Sequence, residues 1–365
     1  QRRMEDIHFS SASIGTLNGQ LGFQIDRQFK MPFFFRYMKS SPYEALFNTA
    51  ASGIDIQYFL MYNRVLGLED QWQVYLNRFD ENIRALLSVN PNCYIIAAMD
   101  LRPNPNWLNA HPQELALDIF GRKPSNIKGE PGMVSFGSDV YMKDCKAFID
   151  RFFEFLKDKD YASRIIGYMP NVCTQLDSHI GGVEANMMIN DRDKLTYGDF
   201  HPGAIAKFRQ WLRTRYHSDT DALRKAWQLD DVTFENALPS RQALWAMNPD
   251  GGVFRDPRQF RQAIDYMEFF PSLLGNFNLE LTGFIKQKTN HKALTLLHYG
   301  ATFATLRNAQ PSGSRIHVQN YDFANLLASD NIDMYVYAPN YHSRQAGDPY
   351  LMYLALDSIA LHKRL

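Results

Sequence analysis

The chain has 365 residues, with 39 Lys+Arg balanced by 39 Asp+Glu, so its formal net charge is zero. That balance excludes the basic footprint of a nucleic-acid binder, and no apolar run reaches the roughly 18 residues that a membrane span requires. Hydrophobic residues at 45% and charged residues at 21% describe a folded chain and exclude disorder as its main state.

Residues 1–31 read as an N-terminal extension. Pro32 to Tyr37 is the first strand-like run, followed by a helical stretch from Ser41 to Ser52 with Pro42 near its start. Ile54 to Met61 is a second strand, and Trp72 to Val89 a helix with apolar residues three and four apart. Cys93 to Met99 is a third strand, Met142 to Lys157 a helix, and Ile165 to Met169 a fourth strand. An irregular region from about 170 to 257 holds two helices, Pro202 to Tyr216 and Thr220 to Trp227. A very long helix, Gln259 to Thr289, leads to a fifth strand, Ala293 to Tyr299. A short helix from Tyr321 to Ala328, a sixth strand from Met334 to Ala338 and a helix from Asp348 to Lys363 complete the series.

Apolar strands alternating with helices indicate parallel βαβ units covered on both faces. No Gly-rich phosphate loop follows any strand, so an α/β fold of the TIM (β/α)8 barrel type is favoured over a doubly wound sheet. The barrel is expected over 32–365, with 170–257 as an insertion between strands four and five. Six units are recognisable, and strands seven and eight are expected beyond residue 365. An unclosed barrel would leave sheet edges and expose Phe33, Phe35, Tyr335 and Tyr337 to water.

The three cysteines, Cys93, Cys145 and Cys173, are too few and too widely spaced for a zinc site or a disulfide framework. Cys93 and Cys173 stand in apolar runs and read as small buried hydrophobes. No metal and no cofactor are expected. Gln1 in place of an initiator Met fits a processed secreted or periplasmic protein, the favoured location over the cytoplasm, as well as a trimmed chain.

Barrel chemistry sits at the carboxyl ends of the strands and in the loops that follow. Those strand ends and loops offer Arg36 at the end of the first strand, and Arg102 and Trp107 after the third. They also offer Asn171 after the fourth, His298 and Tyr299 at the end of the fifth, and Tyr337, Asn340 and Tyr341 at the end of the sixth. Guanidinium and amide groups suit sugar hydroxyls, and an indole suits the CH face of a sugar ring. Each of these residues has a packing role as its plain alternative.

Several segments together resemble a known family. They are LRPNPNWLNAHPQE at Leu101 to Glu114, RIIGY at Arg164 to Tyr168, and the run Phe208-x-x-Trp211-Leu212 … Tyr216 … Leu223-x-x-Ala226-Trp227. Their order and spacing are similar to glycoside hydrolases of the family 42 β-galactosidase type. The resemblance implies a retaining enzyme for β-linked sugars, β-galactosides above all, with two carboxyl groups about 5–5.5 Å apart as acid/base and nucleophile. It also implies a carbohydrate substrate and association into a homo-oligomer. Family members carry a Glu soon after the fourth strand. Here Asp177 lies closest to that position, with Glu184 the other carboxylate within reach, and the nucleophile is expected beyond Leu365. The absence of a Glu in the expected place keeps a second reading open: a degenerate barrel that binds carbohydrate without cleaving it.

Overall fold

The structure, a computed structural model, describes residues 8–32, 34–36, 43–61, 64–118, 121–123, 134–172, 199–240, 256–298, 322–336, 356–362 and 364–365. Asp177, Glu184, Tyr299, Tyr337, Asn340, Tyr341, Phe33 and Cys173 lie outside the described residues, as do the side chains of Arg36 and Phe35.

The chain opens with an antiparallel meander, β1 (Ala12–Leu17), β2 (Gln20–Ile25) and β3 (Gln28–Lys30). Two-residue turns join these strands, Asn18-Gly19 and Asp26-Arg27, all four residues with φ between 44° and 81°. Such left-handed pairs match the twist of the strands that they connect.

Six further strands form one all-parallel sheet in chain order: β4 (Phe34–Arg36), β5 (Ile56–Met61), β6 (Tyr94–Asp100), β7 (Ile165–Asn171), β8 (Leu294–His298) and β9 (Met334–Val336). Helices cross between them: α1 (Tyr43–Ala51), α2 (Trp72–Val89), α3 (Pro105–Ala110) and α4 (Asp139–Leu156), then α5 (Pro202–Arg215), α6 (Thr220–Trp227), α7 (Pro257–Lys288) and α8 (Phe323–Ala328). A last helix, α9 (Leu356–Leu361), follows β9. The fold is α/β, as the alternation of strand and helix predicts.

Side chains alternate across this sheet and build two cores. Tyr58, Leu60, Ile96, Ala98, Met169, Leu294, Leu296, Met334 and Val336 share the inner face with Ala12, Phe23 and Ile25 of the meander. Residues 12–30 therefore bury apolar surface against the sheet, anchored further by Ala12 N donating to Lys292 O at 2.7 Å. The outer face, with Phe59, Ile95, Ala97, Met99 and Tyr168, packs under α2 and α4 through Phe79, Phe148 and Phe152. Cys93 is a buried free thiol there, as its apolar setting predicts, and so is Cys145.

Lys286 of α7 is 5% exposed. Its Nζ donates to Ala293 O at 2.9 Å and pairs with Asp333 Oδ2 at 2.5 Å. Asp333 also accepts from Thr295 N at 2.7 Å, so one buried ion pair ties α7 to the starts of β8 and β9.

Two expectations are corrected. Strand four runs through Pro170 to Asn171, two residues further than its apolar run suggested. Tyr335 is 6% exposed rather than open to water. It points to the helix side, where Leu326, Leu327 and Ile359 surround it and Phe323 meets its ring edge-on at 5.5 Å. Its backbone N donates to Leu365 O at 2.5 Å, and Leu365 N donates to Asp333 O at 3.2 Å, so Leu365 lies along the edge of β9. The end strands β4 and β9 do not pair with each other among the described residues.

Candidate functional site

The apolar inner face ends in a polar layer at the carboxyl ends of the strands. Ile96, Ala98 and Asp100 share that face on β6, and Asp100 is in register with Asn171 of β7. The pairing of Gly167 with Leu294, carried four residues along both strands, brings His298 beside Asn171. Asp100, Asn171 and His298 are 1%, 3% and 2% exposed. Three buried polar side chains on adjacent strands are costly unless they find partners.

Asp100 finds Arg102. The guanidinium donates through Nε to Oδ1 at 2.6 Å and through Nη2 to Oδ2 at 2.7 Å, a two-bond pairing of planar groups. Arg64 N adds a third bond to Oδ2 at 3.3 Å. Asn171 O accepts from Leu101 N at 2.8 Å, which continues the ladder past the strand ends. The Nδ2 of Asn171 has no hydrogen-bond partner among the described residues.

These placements sort the residues singled out from the sequence. Arg102, Asn171 and His298 come together at the strand ends. Arg36 ends β4, its backbone in register with Tyr58. Trp107 does not join them, which corrects the expectation of a sugar-stacking face. It lies in α3, whose N-cap Asn104 accepts from Asn106 N and Trp107 N and turns the indole inward. Trp107 is 2% exposed, packs against His111 and Tyr141 with ring centroids 4.5 and 5.7 Å away, and donates from Nε1 to Asp144 Oδ2 at 2.8 Å. It is a packing residue. From Ile165 to Val172 the strand and its first following residue carry no carboxylic acid. The sequence does not single out Asp100, because an Asp-x-Arg pair after a strand reads as an ordinary loop ion pair. Its burial and its register with Asn171 are tertiary facts.

The aromatic run behind the family resemblance has a structural role. Trp227 Nε1 and Tyr216 Oη both donate to Asp265 Oδ2 on α7, at 2.7 and 2.6 Å. Arg261 Nε donates to Oδ1 at 2.7 Å, and Arg215 Nε approaches it at 3.3 Å. Burial, reinforced by this carboxylate, pushes the Tyr216 phenol up to about 12.

A second buried carboxylate, Asp199, accepts from Ser135 Oγ at 2.5 Å, His201 N at 2.9 Å and Leu117 N at 3.3 Å. Burial raises its pKa against the lowering effect of the Ser135 bond. Both ring nitrogens of His201 face backbone atoms, Gly203 N and Gln113 O, so Ser135 and His201 do not form a nucleophile and base. A cavity of about 390 Å³ lies in the helix layer between α4, α5 and α7, lined by Phe136, Met142, Trp211 and Phe277 and away from the strand ends.

No family model and no curated protein matches the sequence. Solved structures do. A β-galactosidase from the psychrophilic Marinomonas ef1 superposes with a TM-score of 0.55 at 15% identity, covering 85% of this chain and 40% of that one. A β-galactosidase from Bacillus circulans sp. alkalophilus gives 0.51 at 17%, covering 87% and 40%. The catalytic domain of a β-amylase from Paenibacillus polymyxa gives 0.55 at 11%, covering 90% and 82%. The chain shares the fold of these enzymes. At these identities the likeness is one of architecture, and the chain spans about 40% of the length of the two β-galactosidases.

Proposed function

We propose that the chain is a retaining glycoside hydrolase of the family 42 type, built on a (β/α)8 barrel and acting on β-linked sugars, β-galactosides first. The observation that carries this reading is the buried polar layer of Asp100, Asn171 and His298 above an apolar interior. It sits at the strand ends where barrel enzymes hold substrate. The shared fold and the motif run from Phe208 to Trp227 support the family. In this reading Arg102, Asn171 and His298 hold sugar hydroxyls, and Arg36, Tyr299, Tyr337, Asn340 and Tyr341 complete the wall. Asp177 is the acid/base and Glu184 the second carboxylate to test.

The binding-only reading is favoured by one observation. The described strand end, Asn171 and Val172, carries no acid, and the residue closest to the family's Glu position is an Asp, Asp177. Assays on a panel of chromogenic β-glycosides, run alongside sugar-induced shifts in melting temperature, separate the two readings. Cleavage that falls about 100-fold in Asp177→Asn supports the enzyme. A melting shift without cleavage supports the binding barrel, and neither effect rejects both.

A further inference from the structure

Asp100 is, among the described residues, the only carboxylate that ends a strand of the parallel sheet. It is 1% exposed, and it engages two donors of Arg102, whose side chain keeps 15% of its surface open. The ladder does not need this pair. Leu101 N already bonds Asn171 O, Val65 N bonds Asp100 O, and Leu66 bridges Pro103. The two-bond contact does something else: it fixes the plane of the guanidinium and cancels its charge. Beside it, in register, stands the Asn171 amide with Nδ2 lacking a partner among the described residues.

A pre-oriented guanidinium and a buried amide N–H suit the lone pairs of an uncharged hydroxyl. A ligand carboxylate or sulfate placed there would face the Asp100 carboxylate with little water between them, where like charges repel strongly. We propose that Asp100 is a positioning residue that holds Arg102 and screens the charge of the ligand, admitting neutral sugars and turning away uronic acids. This rests on the carbohydrate reading above and deepens it, because nothing in that reading assigns Asp100 a role.

Calorimetric titration with methyl β-galactoside and with methyl β-galacturonide tests the assignment. The wild-type protein should bind the neutral sugar at least about tenfold more tightly, the usual scale for gaining or losing a charged hydrogen bond. In Asp100→Asn the guanidinium loses this carboxylate, so neutral-sugar affinity should fall and the preference should turn toward the uronide. The double variant Asp100→Asn/Arg102→Gln should lose the preference in both directions. A folded Asp100→Asn with the wild-type ratio of affinities overturns the proposal. If Asp100→Asn does not fold, Asp100→Glu keeps the charge and must keep the preference for the neutral sugar, and its loss there also overturns it. A wild-type protein that binds neither probe nor any other sugar overturns the carbohydrate reading itself, and the role of Asp100 falls with it.

Discussion

Trp107 shows how a residue of the expected type in the expected loop can serve another purpose. A Pro-rich loop after the third strand suggested an exposed indole. Asn104 instead caps a helix of six residues, and the first turn of that helix swings the ring under the loop, onto Tyr141 and Asp144. No pattern in the sequence distinguishes the two outcomes, because both use the same residues and differ only in where the helix docks. Trp107→Ala should therefore cost about 3–5 kcal/mol of stability, the usual range for an aromatic removed from a core. Denaturant unfolding and sugar titration on the same variant check this. Unchanged stability with weakened sugar binding would return the residue to the pocket.

At the scale of elements, the parallel sheet was legible because each strand is an apolar run followed by an amphipathic helix. Trp72–Val89 and Thr220–Trp227 fall where their periodicity put them. The meander at 12–30 was not recognised, although it carries a usable signal in Asn18-Gly19 between alternating residues. Its strands are short and half polar, so they lack the apolar runs that mark the parallel sheet. The candidate site was legible as a set of strand ends, but its membership was not, since burial and register decide which polar groups meet.

Asp199 illustrates another element-scale device, joining the segment before α4 to the one before α5 through Ser135 and His201. Its pKa is raised by burial, so its contribution to stability is fullest below the unfolded carboxylate value of about 3.9 and is lost as pH rises through the folded value. Asp199→Asn keeps the shape without the charge. As pH rises above about 4, the wild type should lose stability relative to this variant. A difference that stays constant above that pH would show that folding does not raise the Asp199 pKa.

For the whole molecule, the inner core depends on three distant parts of the chain: the meander, the strands β5 to β7, and the late strands β8 and β9. Phe23 is fully buried in that core. Phe23→Ala should cost about 3–5 kcal/mol and lower the single unfolding transition seen by circular dichroism. A new early transition with the main one unmoved would mean that the meander unfolds alone. The helices α5 and α6 hang on α7 through the Asp265 carboxylate, and one of the donors there is an indole. Trp227 is thus a fluorophore whose N–H is tethered to a buried charge. With the other four tryptophans replaced, its emission would report on that contact, an optical signal for this half of the protein separate from the backbone signal of the sheet.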